Sequence, residues 1–353
     1  MEKTFIVGSY TTPDNAKIRR IAVDCEKAAI RELAPVEDIG NPIYFAVSEA
    51  RDRLYVAQAT APDADRAKSG ALAAYALDAD LNARRIDLIP FPFSVPCHIS
   101  LSHDGTRLLF AEYSAAHAGV VAINKDGTFG ACSVVHHEGH GPNQKRQESA
   151  HCHCAVASPD DRVLFICDLG TDTVNAYDLA GCAGGGTLAP LPENDFHGAP
   201  GLGPRHMIFN AAGDRAYLIY ELGSAVQSFA YENGRLRPLQ EPLSTLPQGF
   251  DGDTKCAAIR ISPCGRWLLA SNRGHDSIAA FPIKDDGTLG AEKVVSQLTG
   301  RFPRDFVFAS QDCVIVGHKL SDNVGLYRFD AATGALTRLP ATLAMPKPLA
   351  FIM

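Results

Sequence analysis

The sequence predicts an all-β chain folded as a seven-bladed β-propeller, with four antiparallel strands per blade and the two chain ends paired to close the ring. Three observations carry that expectation. A strand–turn–strand unit recurs about every fifty residues. Each copy continues into an alternating third strand and a turn-marked fourth. The termini supply complementary halves of one more copy.

In chain order, Lys3 to Tyr10 reads as a second strand with no first strand before it. Arg19 to Leu33 is ambiguous as a helical window, without effect on the fold expected. Six complete hairpins follow, at Asn41–Gln58, Pro96–Glu112, His151–Asp168, Gly203–Glu221, Cys256–Arg273 and Pro303–Lys319. Their turns, such as SHDGT, SPDD, NAAGD and SPCG, are built from residues that form turns by local side-chain bonding or positive φ. Third strands are plain at Thr173–Tyr177, Ala225–Phe229, Ser277–Phe281 and Asn323–Tyr327. Pro348 to Met353 then reads as a first strand with no second after it, so joining the ends completes a seventh blade and removes the open edges. Residues 1–353 are expected to form a single domain without a linker. Aligned on His206, the copies place Tyr44, His98, His153, Ala258 and Asp305 at one repeat position.

Composition narrows the function. A net charge of −7 and the absence of a Lys/Arg run argue against nucleic acid or an anionic membrane as partner. The apolar start is too short for a secretion signal or a membrane span. Ten scattered cysteines then read as reduced core thiols in a cytoplasmic protein, a monomer or weak homodimer.

In a propeller the residues entering first strands and leaving second strands share one face. Here that face collects His98, His151, His153, Arg205, His206, Arg304 and Asp305 with Tyr10, Glu112, Asp168, Glu221, Arg273, His318 and Lys319. Cations, carboxylates and imidazoles at one channel mouth mark a binding or catalytic site for a small anion. The polar segment Gly139–Ala150, with Arg146, is expected to lie across that mouth as a lid.

These residues sit in motifs that resemble the lactonase family of seven-bladed β-propellers. The motifs are IVGSYT (6–11), RQExxHxH (146–153), DLG (168–170), GPRH (203–206), YEL (220–222), SNR (271–273) and PRDF (303–306). That family contains the cycloisomerase-type 6-phosphogluconolactonases and the fungal carboxymuconate-lactonizing enzyme. The resemblance implies a metal-free site made of His153, Arg205, Arg273 and Glu221, with no cofactor expected; from the channel face and the lid, His151, His206, Asp168, Arg304, Lys319 and Arg146 are the candidate substrate-binding residues. It implies hydrolysis of a sugar-derived lactone, 6-phosphogluconolactone foremost. Carboxymuconate cycloisomerisation and a non-catalytic binding platform are the alternatives.

The residues themselves leave the base open between Glu221 and His153, with arginines to hold an oxyanion or a substrate anion. His151 and His153 alternate as metal ligands could, but no third and fourth ligand has suitable spacing. No G-x-S-x-G elbow is present. The run Gly181–Gly186 has no helix after it and reads as a flexible tip.

Overall fold

The structure is a computed structural model and describes residues 2–10, 17–37, 40–61, 64–65, 67–182 and 186–352. Thr11 of the IVGSYT motif, residues 183–185 of the glycine-rich tip and Met353 lie outside this set. The described residues form seven antiparallel sheets, and in six of them the first strand in sequence is innermost. The inner strands of blades 2 to 7 are Gly40–Val47, His98–Leu101, Cys152–Ala157, Pro204–Phe209, Lys255–Ile261 and Pro303–Ser310. The inner strand of blade 1 is Pro348–Ile352, which pairs with Lys3–Ser9 and so joins the chain's ends. The ambiguous segment is a strand pair, Lys17–Asp24 with Ala29–Glu37.

Each blade packs on both faces against its neighbours, so burial along its second strand does not alternate. Second strands such as Val163–Asp168 and Cys313–His318 are buried at every position. The core therefore lies between blades. One cluster joins Ala258 and Leu269 of blade 6 to Phe306, Val316 and Tyr327 of blade 7. Another joins Phe5, Ile21 and Phe351 of blade 1 to Ala309 and Ile315 of blade 7. No described helix is long and apolar enough to cross a membrane.

One irregularity recurs and positions the site. In blade 5 Pro204 faces Tyr220, but His206 faces Ile219, which leaves Arg205 as an extra residue. Blade 4 repeats this with Cys152 opposite Asp168, Cys154 opposite Cys167 and His153 between them. Blade 7 does the same around Arg304, and blade 1 around Leu349. Such a bulge removes a residue from the ladder and re-aims its side chain.

Closing the ring with the last strand makes Phe351, 6% exposed, part of the blade 1–blade 7 core. Phe351→Ala should lower the unfolding free energy by about 3–4 kcal/mol in urea titration. A loss below about 1 kcal/mol would mean that the closing strand carries little of the core.

Candidate functional site

Two rings of backbone positions build the channel mouth. The first is the bulge at the head of each inner strand, which carries His153, Arg205 and Arg304. The second is the residue just past each second strand. Those strands end at Ser9, Glu112, Asp168, Tyr220 and His318, so the next residues are Tyr10, Tyr113, Leu169, Glu221 and Lys319. In blade 6 the corresponding residue is Arg273, because its neighbour Asn272 pairs with Ser277 as Tyr220 pairs with Ala225. Tyr10, Ile43, Cys97, Tyr113, Arg146, His153, Glu221, Arg273 and Arg304 line a pocket of about 290 Å³ between these rings.

Glu221 is its electrostatic centre. Its Oε2 accepts from Arg205 Nε at 2.9 Å and pairs with Arg273 Nη2 at 2.7 Å, while Oε1 accepts from Arg146 Nη2 at 2.7 Å. The carboxylate is buried, which alone would raise its pKa. The charges of Arg273, then Arg205 and Arg146, outweigh that burial and hold it well below the ordinary glutamate value. Burial, reinforced by the nearby Arg273 cation, brings Arg205 down to about 10, so it remains charged at neutral pH. Arg205 also donates to Ala257 O at 2.5 Å, and Arg273 to Cys256 O at 2.6 Å. These bonds fix both forks against the inner strand of blade 6, across the blade boundary for Arg205 and within its own blade for Arg273.

His153 sits beside this cluster with Nε2 3.8 Å from Glu221 Oε2 and Nδ1 3.9 Å from Cys97 Sγ. Burial, together with the Arg205 charge, pushes its pKa well below the usual imidazole range, which leaves it neutral. Tyr113 presents its ring edge to His153, with centroids 5.6 Å apart, and stacks flat on His151 at 4.2 Å.

The lid segment is anchored, not loose. Gln147 is fully buried and donates to Leu169 O at 2.9 Å, while Arg146 reaches down to Glu221 and to Tyr113 Oη at 3.3 Å. The chain passes so close to Gly170 that a Cβ there would lie 1.9 Å from Ser149 O. Only glycine fits that approach.

Several sequence expectations are redrawn by this geometry. His153 is the bulge residue, so it matches Arg205 and Arg304 and not His206; the repeat register in blade 4 is one residue off the sequence alignment. Asp168 ends its strand one position too early to face the pocket. Its Oδ1 accepts from the backbone N–H groups of His151 at 2.8 Å and Gly170 at 2.9 Å, and Oδ2 lies 2.8 Å from His137 Nδ1. Glu112 and His318 occupy the same position and also turn into their own blades, toward the backbone N–H of Ser114 and the Asn323 amide. His206 lies beneath the pocket, where Nε2 accepts from Arg205 Nη1 at 3.1 Å and the ring meets His98 at 5.1 Å. His151 stands behind Tyr113 and donates from Nδ1 to Tyr113 O at 3.0 Å. Arg205 itself is buried under the pocket floor as the support of Glu221.

Tyr113 and Cys97 line the pocket and were not singled out from the sequence. Counting one residue past Glu112, as one counts from Tyr220 to Glu221, would have found Tyr113. Among the described residues, the three potential metal ligands that lie close together are His137, Cys152 and Asp168. Each already has partners: His137 bridges Asp168 and Tyr177 Oη, and Cys152 donates to Ala116 O.

The family described as lactonase, 7-bladed beta-propeller matches residues 4–353. A Bacillus subtilis protein named 6-phosphogluconolactonase is 33% identical over 351 residues, covering 97% of this chain and 96% of that protein. A periplasmic gluconolactonase from Pseudomonas aeruginosa superposes with a TM-score of 0.89 at 29% identity, covering 100% of this chain and 99% of that one. A putative 6-phosphogluconolactonase from Bacteroides fragilis superposes at 0.86 with 28% identity, covering 99% and 97%.

Because three arginines share the Glu221 carboxylate, Glu221→Gln leaves buried cations uncompensated and should cost about 3–5 kcal/mol in urea unfolding. The depressed folded-state pKa of Glu221 sets the sign of the pH effect. Its stabilisation is fully present above the unfolded value of about 4.5 and is lost as pH falls through the lower folded value. The variant should therefore show a shallower acid loss than wild type below about pH 4.5. Equal urea midpoints for the two proteins at pH 7 would contradict this account of the cluster.

Proposed function

The chain belongs to the lactonase family of seven-bladed β-propellers, and from that premise we propose that it hydrolyses a sugar-derived lactone, 6-phosphogluconolactone foremost, with His153 as the base. The observation that carries this reading is the contrast between two neighbouring groups. Glu221 is fixed as a carboxylate by Arg146, Arg205 and Arg273, and its depressed pKa makes it a poor proton acceptor. His153 is neutral beside it and lines the pocket. A neutral imidazole can take a proton at pH 7 and give it back.

In this reading His153 removes a proton from water as the water oxygen bonds to the lactone carbonyl carbon. Arg273 and Arg146 line the pocket and donate to the oxyanion that forms, with Glu221 holding both guanidinium groups in place. Collapse of the tetrahedral species breaks the ring C–O bond, and the imidazolium protonates the departing alkoxide. The product is the open-chain hydroxy acid, which ionises, and His153 is neutral again. No metal enters any step of this scheme. The named activity of the Bacillus subtilis relative supports the substrate. A cytoplasmic site of action fits the ten free thiols, while the Pseudomonas aeruginosa neighbour is periplasmic.

The test is lactone opening above the spontaneous rate, followed with purified protein across a pH series. Because His153 must be neutral and its pKa is depressed, kcat/KM should stay level from pH 7 to below about 6.5 and fall only at more acid values. His153→Asn should lower kcat by about 10²–10⁴-fold. No acceleration by wild type would overturn the lactonase reading; an acid limb centred at or above about 6.5 would remove His153 as its base.

A further inference from the structure

On the face opposite the channel mouth, blade 1 and blade 7 meet through a pair of cysteines. Cys25 opens the turn that joins Lys17–Asp24 to Ala29–Glu37, and Cys313 heads the second strand of blade 7. Cys313 is fully buried in the cluster that joins these two blades, and half-buried Cys25 packs against that cluster. Two neighbours of Cys313 hold Cys25 there. Arg328, its cross-strand partner, donates from Nη2 to Cys25 O at 3.3 Å, and Ser310, its partner on the other side, hydrogen-bonds the Cys25 thiol. Lys3 Nζ ties the same seam by donating to Ala309 O at 2.8 Å. The Cys313 thiol itself donates to Cys25. That bond, with Ser310 and Lys3 adding to it, brings the Cys25 thiol down to about 7 against burial and the Asp312 carboxylate, and it pushes the Cys313 thiol up.

All ten cysteines are free thiols, and this pair differs from others among them. Cys154 and Cys167 also face each other, on paired strands of blade 4, but both are fully buried. Exposed Cys264 meets the Ser262 hydroxyl at 3.2 Å. Cys25 is a thiol that solvent reaches, with a second thiol within hydrogen-bond reach on the neighbouring blade. We propose that Cys25 and Cys313 are a site of reversible oxidation, at which hydrogen peroxide or an alkyl hydroperoxide makes a disulfide that staples blade 1 to blade 7. The Cys25 thiolate attacks a peroxide oxygen. The O–O bond breaks, Cys25 becomes a sulfenic acid, and the departing oxygen takes a proton from solvent to leave as water or an alcohol. The Cys313 sulfur then bonds to the Cys25 sulfur as the S–O bond breaks, and the Cys313 proton leaves with the hydroxide as a second water. The two thiols lose two electrons and the peroxide gains them. A thiol reductant reverses the bond by exchange. The staple joins N-terminal strands to the C-terminal blade, as the pairing of Lys3–Ser9 with Pro348–Ile352 does without a covalent bond. The inference does not depend on lactone hydrolysis.

The test treats full-length wild type and Cys25→Ser with hydrogen peroxide, blocks the remaining thiols with iodoacetamide in denaturant, and digests both without reductant. Mass spectrometry of wild type should show a peptide joining Cys25 to Cys313, lighter by two hydrogens than the two peptides together. Dithiothreitol should abolish it. The thermal midpoint of oxidised wild type should rise by at least about 3 °C over the reduced protein, because the cross-link restricts the unfolded chain. Cys25→Ser alters a half-buried turn residue, so it should fold and show neither the linked peptide nor the rise. Cys25 recovered as an alkylated thiol after peroxide, Cys25 driven to sulfinic acid with Cys313 still alkylated, or Cys25 linked to another cysteine would each overturn the proposal. So would a linked peptide with an unchanged midpoint, or a rise that persists in Cys25→Ser.

Discussion

A single misfit in the sheet ladder governs the chemistry of this propeller. A regular inner strand would send alternate side chains into the two faces of its blade, where the inter-blade core already fills the space. One unpaired residue at the strand head breaks that alternation and turns a side chain toward the axis. Blade 4 spends this position on His153, blade 5 on Arg205 and blade 7 on Arg304. The Glu221 cluster then follows from packing: a carboxylate cannot remain ionised when buried unless cations surround it, and bulge and strand-end positions of adjacent blades are where cations can be delivered.

The cluster divides labour between groups that a sequence would rank as equals. Arg205 and Arg273 both contact Oε2 of Glu221, yet only Arg273 faces the pocket. His153 and His206 are both buried and neutral, but His206 spends its Nε2 lone pair on Arg205. Depth along the channel, not residue type, decides which group can meet a ligand. The layer below the pocket, with Tyr44, His98 and His206 in ring contact and Arg260 bonded to Asp305 at 2.8 Å, is a supporting wall.

The repeat was legible because turns and alternating strands leave strong local signatures, and the closing strand was legible because Pro348–Ile352 lacked a partner nearby in sequence. The mouth of the channel was legible as a region, since hairpin ends must gather there. Which of two adjacent residues faces the ligand was not. Asp168 and Glu221 look alike in a hairpin alignment, but they differ by one step along the strand and so point in opposite directions. His153 was matched to His206 because both are imidazoles ahead of an apolar run, and nothing local announces a bulge that shifts register by one. Arg146 lies 75 residues before the carboxylate it binds, a pairing set only by how the lid crosses the ring.

The strand pairing that closes the ring is also its most non-local contact. Tyr10, at one wall of the pocket, follows the strand Lys3–Ser9, whose inner neighbour Pro348–Ile352 lies at the far end of the propeller's sequence. Until those two strands meet during folding, the circle stays open and that wall of the pocket lacks the inner strand of its own blade. Loop closure of this span is entropically the costliest step in the ring, which ties completion of the pocket to the slowest class of contact to form.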